Sequence, residues 1–174
     1  MSQETAQAIA GYLLQGLQGE YEITKKVLAA VPDAKLAWRP HEKGRTAGEL
    51  AWHIVVSEVW FLEGIASAKF SMEGGEPPAP GSTAEIVAFY EKNFPGALAK
   101  VQALGAGALA QKIDFLGVFN LPAFGYLSFT ANHSIHHRGQ LSAYLRAMGE
   151  KVPSIYGGSA DEPFEFPKGE AAAG

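Results

Sequence analysis

The sequence contains no cysteine. That excludes disulfides, thiolate metal ligands and cysteine nucleophiles, so any metal here is held by nitrogen or oxygen. Long apolar runs are also missing: none reads as approaching the ~18 residues that span a membrane. The start, Met1-Ser2-Gln3-Glu4-Thr5, lacks the basic-then-apolar pattern of a signal peptide. A cytoplasmic protein with no membrane partner is the expectation. An excess of positive charge is missing too. Lys and Arg number 14 against 18 Asp and Glu, and the net charge of −4 is spread without blocks. No basic stripe is therefore offered to nucleic acid.

What is present is an ordinary globular composition, with 47% hydrophobic and 11% aromatic residues over 174 positions. That length suits one domain whose core needs no covalent staples. We expect a single unit over residues 1–174, with a loose tail at 168–174 and no internal repeat.

Helical periodicity dominates the pattern. Ile9, Leu13, Leu17, Thr24, Val27, Leu28 and Val31 recur near 3.6 and stop at Pro32-Asp33. Residues 32–45 read as a connection, and His41 within it receives no metal role. Thr46-Ala47-Gly48-Glu49 has the form of a capping box and opens a second helix reaching about Phe70. The Gly/Pro-dense stretch 71–82 is a surface loop that could equally line the mouth of a pocket. Ser82-Thr83-Ala84-Glu85 opens a third helix by the same device, with Ile86, Phe89, Tyr90, Leu98 and Val101 apolar. Pro95-Gly96 should kink or split it near Phe94. Residues 105–121 are irregular, with room for a helical turn near 108–113 and an extended piece near 115–119. A fourth helix then starts with Pro122 in its first turn and closes at Met148-Gly149. Gly139 inside it predicts close approach of a neighbouring element. Four long helices, each with one apolar stripe, give an all-α four-helix bundle.

The fourth helix carries the chemistry. His133 and His137 stand four apart and share one face, which at ~100° per residue also holds Tyr126, Thr130, Gln140 and Tyr144. His136 falls to one side. Arg138 points away, toward a surface or inter-element salt bridge. A lone histidine is more often a hydrogen-bonded packing residue than a ligand. A third imidazole, His53, lies on the inward stripe of the second helix with Leu50, Val56, Ser57, Trp60, Phe61 and Gly64. Glu49, one turn earlier, is either an acceptor behind His53 or a helix cap alone. If the two helices are neighbours, three nitrogens converge on one ion. Three protein ligands without a fourth leave an open position, the arrangement of a reactive site. Ser57, Tyr126, Thr130 and Gln140 are the candidates for binding substrate, with Gln140 alternatively orienting a ligand histidine. Tyr144 is assigned to packing.

The segment His133-Ser134-Ile135-His136-His137-Arg138-Gly139-Gln140-Leu141 resembles the signature of the DinB-like (YfiT-like) family. Gly48-Glu49-Leu50-Ala51-Trp52-His53 and Lys151-Val152-Pro153-Ser154-Ile155-Tyr156 are similar to it as well. The resemblance covers most of the chain. It implies a four-helix bundle, commonly a homodimer, with a divalent metal held by His53, His133 and His137. It also implies chemistry on low-molecular-weight thiols: bacillithiol or mycothiol S-transferases, a mycothiol-dependent maleylpyruvate isomerase and related hydrolases. Zinc or nickel leads among the metals three imidazoles accept, with iron, cobalt or copper also suited. A small-molecule substrate activated as thiol or water is the expected partner. The alternatives are a metal-stabilised bundle without catalysis, and a dimeric interaction or stress-response protein.

Overall fold

The computed structural model describes residues 2–164, so the expected loose tail at 168–174 lies outside the described residues. The protein is mostly helical. Helix α1 spans Gln3–Ala29, α2 Ala47–Ser67 and α3 Thr83–Gln102. A short α4 at Ala106–Ala110 is followed by strands β1 (Lys112–Phe115) and β2 (Phe119–Pro122), and α5 spans Ala123–Ala147. The hairpin corrects the all-α expectation. Its strands pair antiparallel, with Phe115 opposite Phe119. Its turn places Leu116 (φ 56°) and Gly117 (φ 73°) in the left-handed region, as a type I′ turn requires. Residues 119–122 are consequently strand, and Pro122 becomes the N-cap of α5 rather than part of its first turn.

The four long helices pack in a ring: α1 against α3 and α5, and α2 against the same two. Leu17, Leu28, Leu50, Ile54, Leu62, Phe94, Leu98 and Leu141 are all essentially sealed from solvent at the centre. Ser2 caps α1, with its hydroxyl accepting from Thr5 N at 3.1 Å. At α2 the predicted capping box is complete. Thr46 Oγ1 accepts from Glu49 N at 3.1 Å, and Glu49 accepts from Thr46 N at 2.7 Å. At α3 it is not: Glu85 binds the Ser82 hydroxyl, while Thr83 N donates to Asp33 of the first connection at 2.7 Å.

Two expectations about backbone breakers meet the packing. Helix α3 is not split at Pro95 but continues through it, because Phe94, Ala97, Leu98 and Val101 are buried on either side of it. A Cβ at Gly139 would meet nothing within 4 Å, so no element approaches there. Close approach occurs at Gly64, where a Cβ would lie 2.3 Å from the Phe70 ring, and at Gly48 against Leu36.

Against the expectation of no such run, helix α2 is, by length and composition alone, apolar enough to cross a membrane. Its apolarity has a local explanation: Leu50, Ala51, Ile54, Val55, Phe61, Leu62 and Ile65 are all buried inside the molecule.

Candidate metal centre

The half-open residues of α2 fall on one side of it: His53, Val56, Ser57, Val59, Trp60, Glu63 and Ala66. Of the residues expected to share the inward stripe of His53, Leu50, Phe61 and Gly64 are buried, while His53, Val56, Ser57 and Trp60 are half-buried and line a cavity. Helix α5 packs beside α2 and brings His133 and His137 to the same point. Ring centroids are 5.1 Å apart for His53 and His133, 4.8 Å for His53 and His137, and 4.5 Å for His133 and His137. One ring nitrogen from each lies within 4.8 Å of the others, a cluster able to hold a metal ion. His136 is exposed, 4.8 Å from the His137 ring, and outside the cluster.

The hydrogen bonds behind these rings suit a metal. His53 Nδ1 is 2.6 Å from a carboxylate oxygen of Glu76, and His137 Nδ1 is 3.1 Å from Gln140 Oε1. Both partners accept, so both rings carry the proton on Nδ1 and leave the Nε2 lone pair free. Metal-ligating histidines are oriented in this way. His133 Nδ1 is buried with no hydrogen-bond partner among the described residues. Burial, and secondarily the neighbouring histidines, push the His133 pKa down to about 4; burial also lowers that of His137. The site therefore keeps these rings in the neutral form that ligates.

Ser57 Oγ is 3.3 Å from His53 Nδ1 and lines the cavity. Gln140 braces His137 and donates to the Tyr144 hydroxyl at 3.3 Å, while Tyr144 donates to the Arg45 carbonyl. Tyr126 and Thr130 have other work. Tyr126 Oη donates to Ile113 O at 2.7 Å and accepts from Leu121 N, locking the hairpin onto α5. Thr130 Oγ1 donates to the Tyr126 carbonyl at 2.7 Å. Both side chains are sealed, and neither lines the cavity. Glu49 only caps its helix.

Glu76 escaped the sequence reading because it lies in the 71–82 loop, which carries no periodic pattern. That loop does line the pocket mouth. Trp60 Nε1 donates to Ser71 O at 2.8 Å and Trp52 Nε1 to Pro77 O at 2.7 Å, tying both ends of the segment to α2. Arg45, 3.6 Å from Glu76, is the cation nearest that carboxylate. The cavity beneath the loop measures about 560 Å³, with His53 and His133 in its wall. A second depression of about 440 Å³ between α1, α3 and α4, lined by residues such as Gln7, Gln15 and Gln102, holds no titratable side chain.

Beside the triad runs a buried polar network. Glu58 accepts from the hydroxyls of Tyr90 and Ser134. Arg138, 1% exposed, pairs with Glu20 at 2.5 Å, donates to Thr24 at 3.0 Å and meets the Tyr156 hydroxyl. Arg138 does point away from the triad, as the helical wheel predicts. It points into the α1–α5 interface, because its partners Glu20 and Thr24 lie on α1. Its Tyr156 contact, with Lys26–Glu162 and Arg146–Asp161, ties the C-terminal stretch to the helices.

The sequence profile of the DinB family matches residues 1–166. The chain belongs to the DinB family. It is similar to a DinB-like protein of Bacillus cereus ATCC 10987, at TM-score 0.72 and 30% identity over 83% of this chain and 95% of that one. A Bacillus subtilis DinB-like protein, YjoA, shares the fold at TM-score 0.68 and 20% identity over 83% and 96%. The uncharacterized protein YrdA of Bacillus subtilis strain 168 is 29% identical over 159 residues, 89% of this chain and 92% of YrdA. Family membership agrees with the histidine cluster at its centre.

Proposed function

We propose that this DinB protein is a divalent-metal enzyme on a four-helix bundle, with His53, His133 and His137 as ligands. Its reaction is the transfer of a low-molecular-weight thiol to a small molecule. The observation that carries the proposal is the pairing of two ligand rings with Glu76 and Gln140 while the third holds a buried nitrogen without a hydrogen-bond partner among the described residues. Packing histidines need no such joint orientation.

A divalent ion bound there supplies Lewis acidity, lowering the pKa of a thiol or water enough to make a nucleophile near neutral pH. The chain's own residues do the rest. Glu76 and Gln140 fix the ring orientations of His53 and His137. Ser57 offers a hydroxyl beside His53. Trp60, Phe61 and Phe115 shield one side from water. Zinc or nickel suits the nitrogen set best. The homodimer belongs to the same proposal, supported by apolar side chains left exposed on the hairpin and α5, notably Val118 at 74% and Phe129 at 37%.

The test is a panel of thiols and electrophiles with zinc- or nickel-loaded protein, followed by thiol consumption. Turnover abolished by chelation and by His137→Ala supports the proposal. Stoichiometric metal, melting on chelation and no turnover across a broad panel would leave a metal-stabilised bundle in its place.

A further inference from the structure

The cavity beside the triad has a chemical character of its own. Its deep wall is aromatic and aliphatic: Trp60, Phe61, Phe89, Phe115, Val56 and Val59. Trp60 meets Phe115 edge-on at 5.8 Å, and Phe61 stacks parallel to Phe115 at 6.1 Å. A volume of about 560 Å³ falls within the range of pockets that take a drug-sized ligand. Polar groups are confined to the triad end and the mouth.

The charges at the mouth are all acidic. Glu63, Glu73 and Glu76 line it, and no lysine or arginine does. Two of the three have a cation from outside the lining. Lys100 Nζ holds both Glu63 oxygens at 2.7 and 2.9 Å, and Arg45 stands 3.6 Å from Glu76, which also accepts from His53. Glu73 is exposed and has no ion pair among the described residues. An anion entering here would lose its hydration against apolar walls, find no lysine or arginine within the lining and pass Glu73, which has no ion pair among the described residues, so that only an ion held by the triad would attract it. An uncharged flat molecule meets only aromatic and aliphatic surface.

We infer that this cavity is the subsite for an uncharged, aromatic or similarly flat apolar substrate, and that it rejects anions. The inference names the partner molecule of the proposed metal site, and rests on that proposal only for calling the occupant a substrate. An anionic thiol would then reach the triad from outside this cavity. The apolar molecule lies along Trp60 and Phe115 with its reactive end toward His53 and His133.

The test uses two fluorescent probes that differ by one sulfonate: N-phenyl-1-naphthylamine, uncharged, and 8-anilinonaphthalene-1-sulfonate. Both are titrated into the full chain before and after EDTA treatment, so a failure of the metal proposal leaves this measurement standing. The uncharged probe is expected to saturate one site and bind about tenfold or more tightly than the sulfonate. Val56→Trp, which fills the cavity, should weaken it by about tenfold while helical circular dichroism is unchanged. Glu73→Lys, on the exposed loop, should narrow the preference by improving sulfonate binding. The inference is overturned by equal or tighter sulfonate binding to the EDTA-treated protein, or by a folded Val56→Trp that binds like wild type. If Val56→Trp does not fold, Glu73→Lys decides: an unaltered preference overturns the account.

Discussion

His53 and Glu76 are 23 residues apart in sequence, yet the imidazole Nδ1 and a carboxylate oxygen meet at 2.6 Å. The contact joins a helix to a loop without regular structure, and two tryptophan indoles hold that loop in place. A carboxylate behind a ligand histidine fixes its tautomer and raises its basicity. Glu76→Gln is therefore expected to weaken metal binding by roughly 10–100-fold and leave the thermal midpoint of the metal-free protein nearly unchanged. Competition against a chromophoric chelator checks this, and unaltered affinity would remove Glu76 from the site.

Glu58 gives the protein a pH dependence of definite sign. Burial raises its pKa to about 7, against opposing hydrogen bonds from Ser134 and Tyr90. The folded state thus holds a proton that the unfolded chain releases above its ordinary value of about 4.5. Stability from this group is full below pH 4.5 and is lost as pH rises toward 7, on the order of 3 kcal/mol in all. His133 acts oppositely, costing stability as pH falls from about 6.5 toward its own value of about 4. Urea denaturation of metal-free wild type and Glu58→Gln from pH 4.5 to 8 separates the two. The variant should lose the decline on the alkaline side and keep the one on the acid side.

Arg138 is a buried charge whose partners all come from other elements. Removing one member of such a pair strands the rest, so Arg138→Ala is expected to cost about 3–5 kcal/mol. Because Tyr156 meets the same guanidinium, the C-terminal stretch should also become more sensitive to protease. Chemical denaturation and limited proteolysis check the two effects, and a loss below about 1 kcal/mol would mean the network contributes no more than a surface pair.

Two glycines should respond in opposite directions. Gly64→Ala drives a methyl group into the Phe70 ring, which itself packs on Trp60, Phe115 and Tyr126. Overpacking of that kind costs about 1–3 kcal/mol. Gly139→Ala enters open space inside a helix and should stabilise by up to about 1 kcal/mol. Paired thermal melts give the answer directly.

The four long helices were legible because their apolar residues repeat at 3.6, and the starts of α2 and α3 because Thr46 and Ser82 cap them. The i, i+4 histidines and their third partner were legible for the same reason, since helical phase alone turns the rings to one side. Phase fails for side chains whose polar end can reach back. Tyr126 and Thr130 have the right angle on α5, but their hydroxyls find backbone carbonyls within their own neighbourhood. Glu76 and the Arg138 network needed tertiary contacts of more than 20 and 110 residues' separation, which no local pattern encodes. The hairpin strands span four residues each, too short for alternation to stand out. Pro95 does not split α3, because the packing on both sides of it holds one helix.

The account's central claim is that His53, His133 and His137 hold one metal ion between them. Elemental analysis of untagged wild type beside His53→Ala, His133→Ala and His137→Ala, each confirmed folded by circular dichroism, tests it most directly. One equivalent of a divalent transition metal in wild type and a large loss in all three variants is predicted. Metal that is absent from wild type after loading with zinc or nickel, or that survives in a folded His53→Ala, would contradict it.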